Sequence, residues 1–220
     1  MSVEPLEKLM NRIRAFQESR ALLTAFELDL FSAVGEGATA AEVASRLQTD
    51  ERASEMLMNA LVALGMLQKK KGVFRNRQLA AQYFTEGSPD NVRLAIMHTA
   101  YLWERWSTLT ECVRTGTSQE RASGGERDQH WIEAFIAAMD RNVAERAPLV
   151  IKAVDTGGVR RMLDVGGGSG GYSIAFAKAS PGLHAEVLDL PAVGGAKVPA
   201  RDRCHQGSPC LHQADTGVPG

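Results

Sequence analysis

Residues 162–171 read Met162-Leu163-Asp164-Val165-Gly166-Gly167-Gly168-Ser169-Gly170-Gly171. The first four residues are a short apolar strand that carries one acid. Five of the six that follow are glycine. Gly171 to Ala179 then reads as a helix, with Ile174, Phe176 and Ala177 available for packing. Pro181-Gly182 marks a turn, and His184 to Leu190 forms a second strand with Asp189 near its tip. Strand, glycine-rich turn, helix and strand in this order open a βαβ unit and predict a parallel sheet.

The glycines have a physical reason. A strand that turns at once into a helix needs backbone freedom, and a turn without side chains lets a ligand come close. The helix beyond it starts with N–H groups that have no intrahelical partner. Asp189 lies 23 positions after Gly166, close to the roughly 20 expected of an acid that accepts hydrogen bonds from ribose hydroxyls. Gly166, Gly168 and Gly171 satisfy G-x-G-x-x-G, so a nicotinamide or flavin dinucleotide is one reading. Asp164 discriminates against it. An acid two residues before the first glycine repels a pyrophosphate and attracts a cation. S-adenosylmethionine carries a sulfonium and an ammonium but no phosphate, and D-x-G-x-G-x-G suits it.

Upstream, residues 5–34 read as helix. Leu6, Leu9, Met10, Ile13 and Phe16 recur at three- and four-residue spacing, the mark of one buried face. Leu22, Leu23, Phe26, Leu30 and Phe31 continue it, and Gly35 and Gly37 end it. Thr39 stands three residues before Glu42, the spacing of a capping box, ahead of a short helix from Ala40 to Leu47. Thr49 or Asp50 caps the next helix, whose apolar positions are Met56, Leu57, Ala60, Leu61 and Leu64 and which stops at Gly65. Met66-Leu67-Gln68 and Val73-Phe74-Arg75, around Lys69, Lys70, Lys71 and Gly72, predict a β-hairpin. Helix, short helix, longer helix and hairpin is the order of a winged helix. As a DNA reader, it would place the helix at 51–64 in the major groove. Glu51 and Glu55 near the start of that helix fit a phosphate-rich groove poorly, and three lysines on a hairpin tip read as a solvated turn.

Between these regions, Asn91 to Thr115 is predicted helical, with Leu94, Met97, Tyr101, Leu102, Trp106, Leu109 and Val113 on one broad face. A Gly/Ser/Thr-rich loop covers 116–128. His130 to Val154 is a second helix, kinked or broken at Pro148. Trp131, Phe135 and Met139 share one face at i, i+4 and i+8, which suits either core packing or the wall of a substrate pocket. His98 and His130 have no neighbours in sequence that would make either a metal ligand.

Composition narrows the partners. The chain has 220 residues, with 25 Lys+Arg against 26 Asp+Glu and a formal net charge of −1. That balance disfavours bulk binding to nucleic-acid phosphate or anionic membrane. Apolar residues make up 44% and charged residues 23%, a globular composition. Three cysteines form no framework and fit a reducing, cytoplasmic setting. Neither a signal peptide nor a membrane-length apolar run is evident.

The stretch Leu163 to Gly170, followed by Asp189-Leu190-Pro191, resembles the S-adenosylmethionine-dependent O-methyltransferases that carry an N-terminal winged-helix dimerisation domain. The resemblance runs over about residues 8–193, and Tyr101–Trp106 and Phe135–Met139 look like the family's inter-domain helices. It implies a winged-helix dimerisation domain at 1–88, bridging helices at 89–155, and at 156–193 the first βαβ of a Rossmann-like methyltransferase domain. It implies a homodimer formed through the N-terminal domain. Asp164, Gly166, Gly168 and Gly170 would hold the methionine part of S-adenosylmethionine, and Asp189 its ribose. Trp131, Phe135 and Met139 would line the pocket of a small hydroxyl-bearing, often phenolic, acceptor.

The sequence departs from that family in one respect. The family's general base is a histidine in a His-(Asp/Glu)-Trp-like motif downstream of the second strand, and the chain contains no such motif. No catalytic base is therefore assigned, and little turnover is expected. Residues 194–220 form an irregular tail rich in Gly and Pro, with no visible period. Its abrupt composition predicts a change of reading frame near Val193, so that the chain is truncated. Cys204, His205, Cys210 and His212 within it are too tightly spaced for a zinc site. The remaining alternatives are a non-catalytic interaction protein derived from the family and a winged-helix regulator.

Overall fold

The computed structural model describes residues 3–118, 129–190 and 193. Its Cα framework divides into two compact units, Met1–Ala100 and Tyr101–Gly220.

The first unit opens with α1 (Val3–Glu27) and α2 (Leu30–Val34). One continuous helix over 5–34 is not what forms. The chain breaks at Leu28-Asp29, because Asp29 adopts a left-handed conformation with φ 55°. The break is held by Ser32 Oγ donating to Asp29 Oδ1 at 2.7 Å. Arg93 Nε lies 3.2 Å from the same carboxylate and donates to the Phe26 carbonyl at 3.0 Å. A second expectation also fails on α1. Leu6, Leu9, Ile13 and Phe16 are not buried: each is more than half exposed. The stripe is helical in spacing, but its contacts are not made within the described residues of this chain.

β1 (Ala38–Thr39) leads into α3 (Ala40–Leu47) and α4 (Glu51–Ala63). Thr39 and Glu42 form the expected capping box. The Glu42 amide donates to Thr39 Oγ1 at 3.3 Å, and the Thr39 amide donates to Glu42 Oε2 at 2.7 Å. The bonds that the Glu42 carboxylate accepts, from the Thr39 amide first and the Thr39 hydroxyl second, lower its pKa below the ordinary glutamate value. Asp50 is the cap of α4, its side chain accepting from the Ala53 amide at 2.8 Å. The hairpin is β2 (Leu67–Lys70) and β3 (Val73–Asn76). Lys71 and Gly72 between them both have positive φ, at 51° and 79°, which is the requirement of a tight two-residue hairpin turn. The sequence did not signal β1, which pairs antiparallel with β3 and makes the sheet order β1-β3-β2. Nor did it signal α5 (Gln78–Tyr83). Phe31, Phe74, Leu30, Met58 and Leu61 are fully buried together. Burial of each such side chain contributes about 1.5–3 kcal/mol, and this core sets the winged-helix arrangement.

The continuous helix expected over 91–115 is two helices, α6 (Arg93–Ser107) and α7 (Leu109–Thr115). The break is at Thr108, whose hydroxyl donates back to the Arg105 carbonyl at 2.7 Å. Trp106, Leu109 and Val113, expected on a packed face, are exposed.

In the second unit, α8 (Gln129–Ala153) runs without a break through Pro148. β4 (Arg161–Val165), α9 (Gly171–Ala179) and β5 (His184–Leu188) complete the described elements. β4 and β5 pair parallel, with Asp164 opposite Val187 and Val165 opposite Leu188. A parallel pair joined through a helix is the βαβ unit that the glycine pattern predicts. Asp189 falls immediately after β5. Among the described residues, no helix is long and apolar enough to cross a membrane. The tail at 194–220, with Cys204, His205, Cys210 and His212, lies outside the described residues.

Candidate functional site

The turn from β4 to α9 is built by backbone that only glycine adopts easily. Gly166, Gly168 and Gly170 have φ of 74°, 58° and 75°, in the left-handed region where a side chain costs energy. Gly167 is needed for a different reason. A Cβ there would sit 2.7 Å from Asp164 Cγ and 2.8 Å from Val187 Cγ1, closer than atoms pack. The Gly166 amide donates to the Leu188 carbonyl at 2.7 Å, which ties the start of the turn to β5. Gly170 is the cap residue of α9 and offers no side chain to the helix's first amides. Those amides remain available to a ligand.

Two carboxylates flank the turn, as expected. Asp164 is half-buried and accepts from Ser173 Oγ, on α9, at 2.9 Å. Asp189 accepts from the Gly168 amide at 2.7 Å through Oδ2 and from the Leu190 amide at 2.7 Å through Oδ1. Each oxygen of Asp189 keeps a second lone pair for a hydroxyl donor. The structure thus brings Asp164, Gly166, Gly168, Gly170 and Asp189 together around one turn.

Sequence reasoning missed a third carboxylate. Asp140, on α8, accepts from Ser169 Oγ at 2.6 Å. Ile136, Asp140 and Val143 lie on the α8 face toward the turn. A Cβ on Gly168 would meet Ile136 Cδ1 at 3.5 Å, and one on Gly171 would meet Val143 Cγ1 at 2.9 Å. The available signal was an acid at helical spacing between two apolar residues. Among the described residues, Asp140, Asp164 and Asp189 take part in no ion pair. A turn ringed by unneutralised carboxylates repels a pyrophosphate and suits a cationic ligand bearing hydroxyls.

Trp131, Phe135 and Met139 lie on α8, on the face beside the one that meets the turn. Trp131 is buried, and its ring stacks on Phe135 with centroids 5.2 Å apart and planes 10° apart. Phe135 and Met139 are half-buried. A cleft of about 350 Å³ lies elsewhere in this unit, lined by Leu102, Arg105, Trp106, Leu109 and Cys112 among others. It contains none of the cofactor- or acceptor-site residues expected from the sequence, although Leu102, Trp106 and Leu109 of the expected apolar face line it. Burial lowers the His98 pKa below the ordinary histidine range, which favours the neutral ring. Among the described residues, no group of three His, Cys, Asp or Glu is placed to hold a metal ion.

In the winged helix, Lys69 Nζ donates to Glu55 Oε1 at 2.8 Å and to Asn59 Oδ1 at 3.1 Å, and it sits 4.6 Å over the Phe74 ring. One of the three hairpin lysines is therefore committed to α4 within the fold.

Comparison with known proteins agrees with both units. Residues 10–86 match the family model of the O-methyltransferase dimerisation domain, and residues 106–206 match that of the O-methyltransferase domain. The chain belongs to this O-methyltransferase family. A curated relative, 3-hydroxy-5-methyl-1-naphthoate 3-O-methyltransferase of Streptomyces sahachiroi, is 34% identical over 195 residues. The alignment covers 83% of this chain and 56% of that protein. The solved structure of an O-methyltransferase family protein from Burkholderia thailandensis is 30% identical, with a TM-score of 0.71, covering 88% of this chain and 58% of the other. The structure of PigF with SAH is 25% identical, with a TM-score of 0.75, covering 85% and 59%. The chain spans between half and two thirds of the length of these three proteins.

Proposed function

We propose that the chain carries the dimerising region and the first part of the cofactor site of an S-adenosylmethionine-dependent O-methyltransferase acting on a small hydroxyl-bearing, ring-containing acceptor. The observation that carries this reading is the glycine turn flanked by Asp164 and Asp189 without a basic counter-charge. The naphthoate relative and the SAH-bound structure support it. When bound, S-adenosylmethionine supplies a methyl group made electrophilic by its sulfonium sulfur.

The chain's own residues then have distinct tasks. Asp164 and the turn amides hold the charged amino-acid part, where an acid stabilises the ammonium. Asp189, already fixed by two amides, accepts from the ribose hydroxyls. Phe135 and Met139, with Trp131 stacked behind Phe135, form an apolar wall against which a flat acceptor packs. Such positioning supplies much of the rate of a group transfer. Removal of the acceptor's proton needs a general base. No histidine among these 220 residues stands in the family's motif, and no residue of the chain is assigned that role.

The exposed stripe Leu6, Leu9, Ile13 and Phe16 on α1 supports a homodimer formed by the N-terminal unit. A contiguous apolar helix face of this kind marks an interaction surface. Isothermal calorimetry tests the cofactor reading with S-adenosylhomocysteine (SAH) against NAD. Binding of SAH with no heat from NAD is expected. Binding of NAD, or of neither ligand, contradicts it.

A further inference from the structure

We propose that Asp140 is a positioning residue for the glycine-rich turn, acting through the hydroxyl of Ser169. The inference rests on the reading of that turn as a cofactor site and adds a residue that the glycine motif does not contain. Glycines give the turn its shape, but they also leave it many conformations, because glycine loses more backbone freedom on ordering than any other residue. Something must hold it. Within the turn, Ser169 is the only residue between Gly166 and Gly171 with a side chain, and that side chain donates to Asp140 Oδ1 at 2.6 Å. A hydrogen bond to a carboxylate is short and stronger than one between neutral groups.

The anchor is seated on a rigid element. Asp140 stands in the middle of α8, with Ile136 one turn before it and Val143 three residues after it. A Cβ on Gly171 would come within 2.9 Å of Val143 and 3.3 Å of the Asp140 carboxylate, and one on Gly168 would lie 3.5 Å from Ile136. Met139 is its immediate neighbour on the helix, and Phe135 lies five residues before it. The helix that carries the apolar wall is thereby latched to the turn that holds the cofactor. The latch fixes the register between the two, and the turn is pre-ordered before a ligand arrives, which lowers the ordering cost of binding.

The test uses Ser169→Ala, Asp140→Ala, Asp140→Asn and the Asp140→Ala/Ser169→Ala double variant. Amide hydrogen exchange of residues 168–174 is followed without ligand, and SAH affinity is followed by calorimetry. Loss of either partner is expected to speed exchange at these amides about tenfold and to weaken SAH binding about tenfold, equivalent to about 1.4 kcal/mol. Asp140→Asn keeps an oxygen that accepts from the Ser169 hydroxyl, so it restores both quantities to near the wild-type values. The double variant is no worse than either single, because both remove one interaction. Unchanged exchange at 168–174 in Ser169→Ala overturns the proposal, as does Asp140→Asn behaving like Asp140→Ala. Unaltered exchange in β4 and β5, residues 161–165 and 184–188, shows that a variant has kept the fold of the second unit, and Ser169→Ala serves if Asp140→Ala does not fold. Absence of SAH binding by the wild-type chain overturns the cofactor reading alone, and the ligand-free exchange still decides the latch.

Discussion

Phe31 and Phe74 in the first unit are 1% and 0% exposed, whereas Leu163 and Val165 on the strand that feeds the glycine turn are 58% and 73% exposed. Both pairs belong to hydrophobic segments of similar composition. The first unit closes its sheet against α2, α3 and α4 and completes a core. The second packs α9, itself backed by α8, against its parallel pair and among the described residues leaves Leu163 and Val165 exposed, although parallel strands are ordinarily covered on both faces. The difference separates two regions: the completed core lies in the N-terminal unit, and the turn proposed as the cofactor site lies in the C-terminal one.

Substitutions can break this comparison. The largest effect is expected from Phe74→Ala, which removes a fully buried ring and costs about 3–5 kcal/mol. Val165→Ala, at an exposed position, changes stability by less than about 0.5 kcal/mol. Chemical denaturation of the two variants measures the contrast, and similar losses would abolish it. Next comes the association surface. Ile13→Glu with Phe16→Glu on α1 places charge in an apolar contact and is expected to weaken dimerisation about a hundredfold, read by light scattering across a dilution series. SAH affinity should not follow, because the two sites lie on different units. Smaller again is Gly167→Ala. The added methyl forces Asp164 or Val187 aside at a cost of about 1–3 kcal/mol, and calorimetry should show SAH binding weakened by tenfold or more.

The smallest effect is the cap of α3. Thr39→Ala removes an N-cap worth about 1 kcal/mol. It also removes one of the donors that lower the Glu42 pKa. A carboxylate with a lowered folded pKa stabilises the fold fully above its unfolded value. That contribution disappears as pH falls through the lower, folded value. Wild-type stability should therefore decline as pH drops below about 4.3, and the decline should be shallower in Thr39→Ala. Thermal melts from pH 6 to pH 3 measure it.

How much of this was legible in the sequence depends on the distance over which each feature is fixed. The Thr39–Glu42 box, the Lys71-Gly72 turn and the glycine run from Gly166 to Gly171 are local, and the structure forms each where the residues indicate. The break at Asp29 was not legible. Its left-handed backbone is held by Arg93, which no window around residue 29 contains. The same applies to Asp140, whose partner Ser169 lies 29 positions away. Spacing showed that Leu6 to Phe16 share a face of α1, but not whether that face meets this chain's own core. β1 is two residues long, too short for an alternating pattern to register. Pro148 does not end α8: a helix tolerates a lost hydrogen bond when neighbouring turns are packed, as at buried Ala147.

Hydrogen exchange of the whole chain with and without saturating SAH tests the division of labour most directly. Protection is expected to rise at residues 163–173 and 187–190, around Asp164, the glycine turn and Asp189. Amides of the core at residues 30–76 should exchange as before. Protection appearing first in the winged-helix core, or no change at the turn while SAH is bound, would contradict the assignment of the cofactor site.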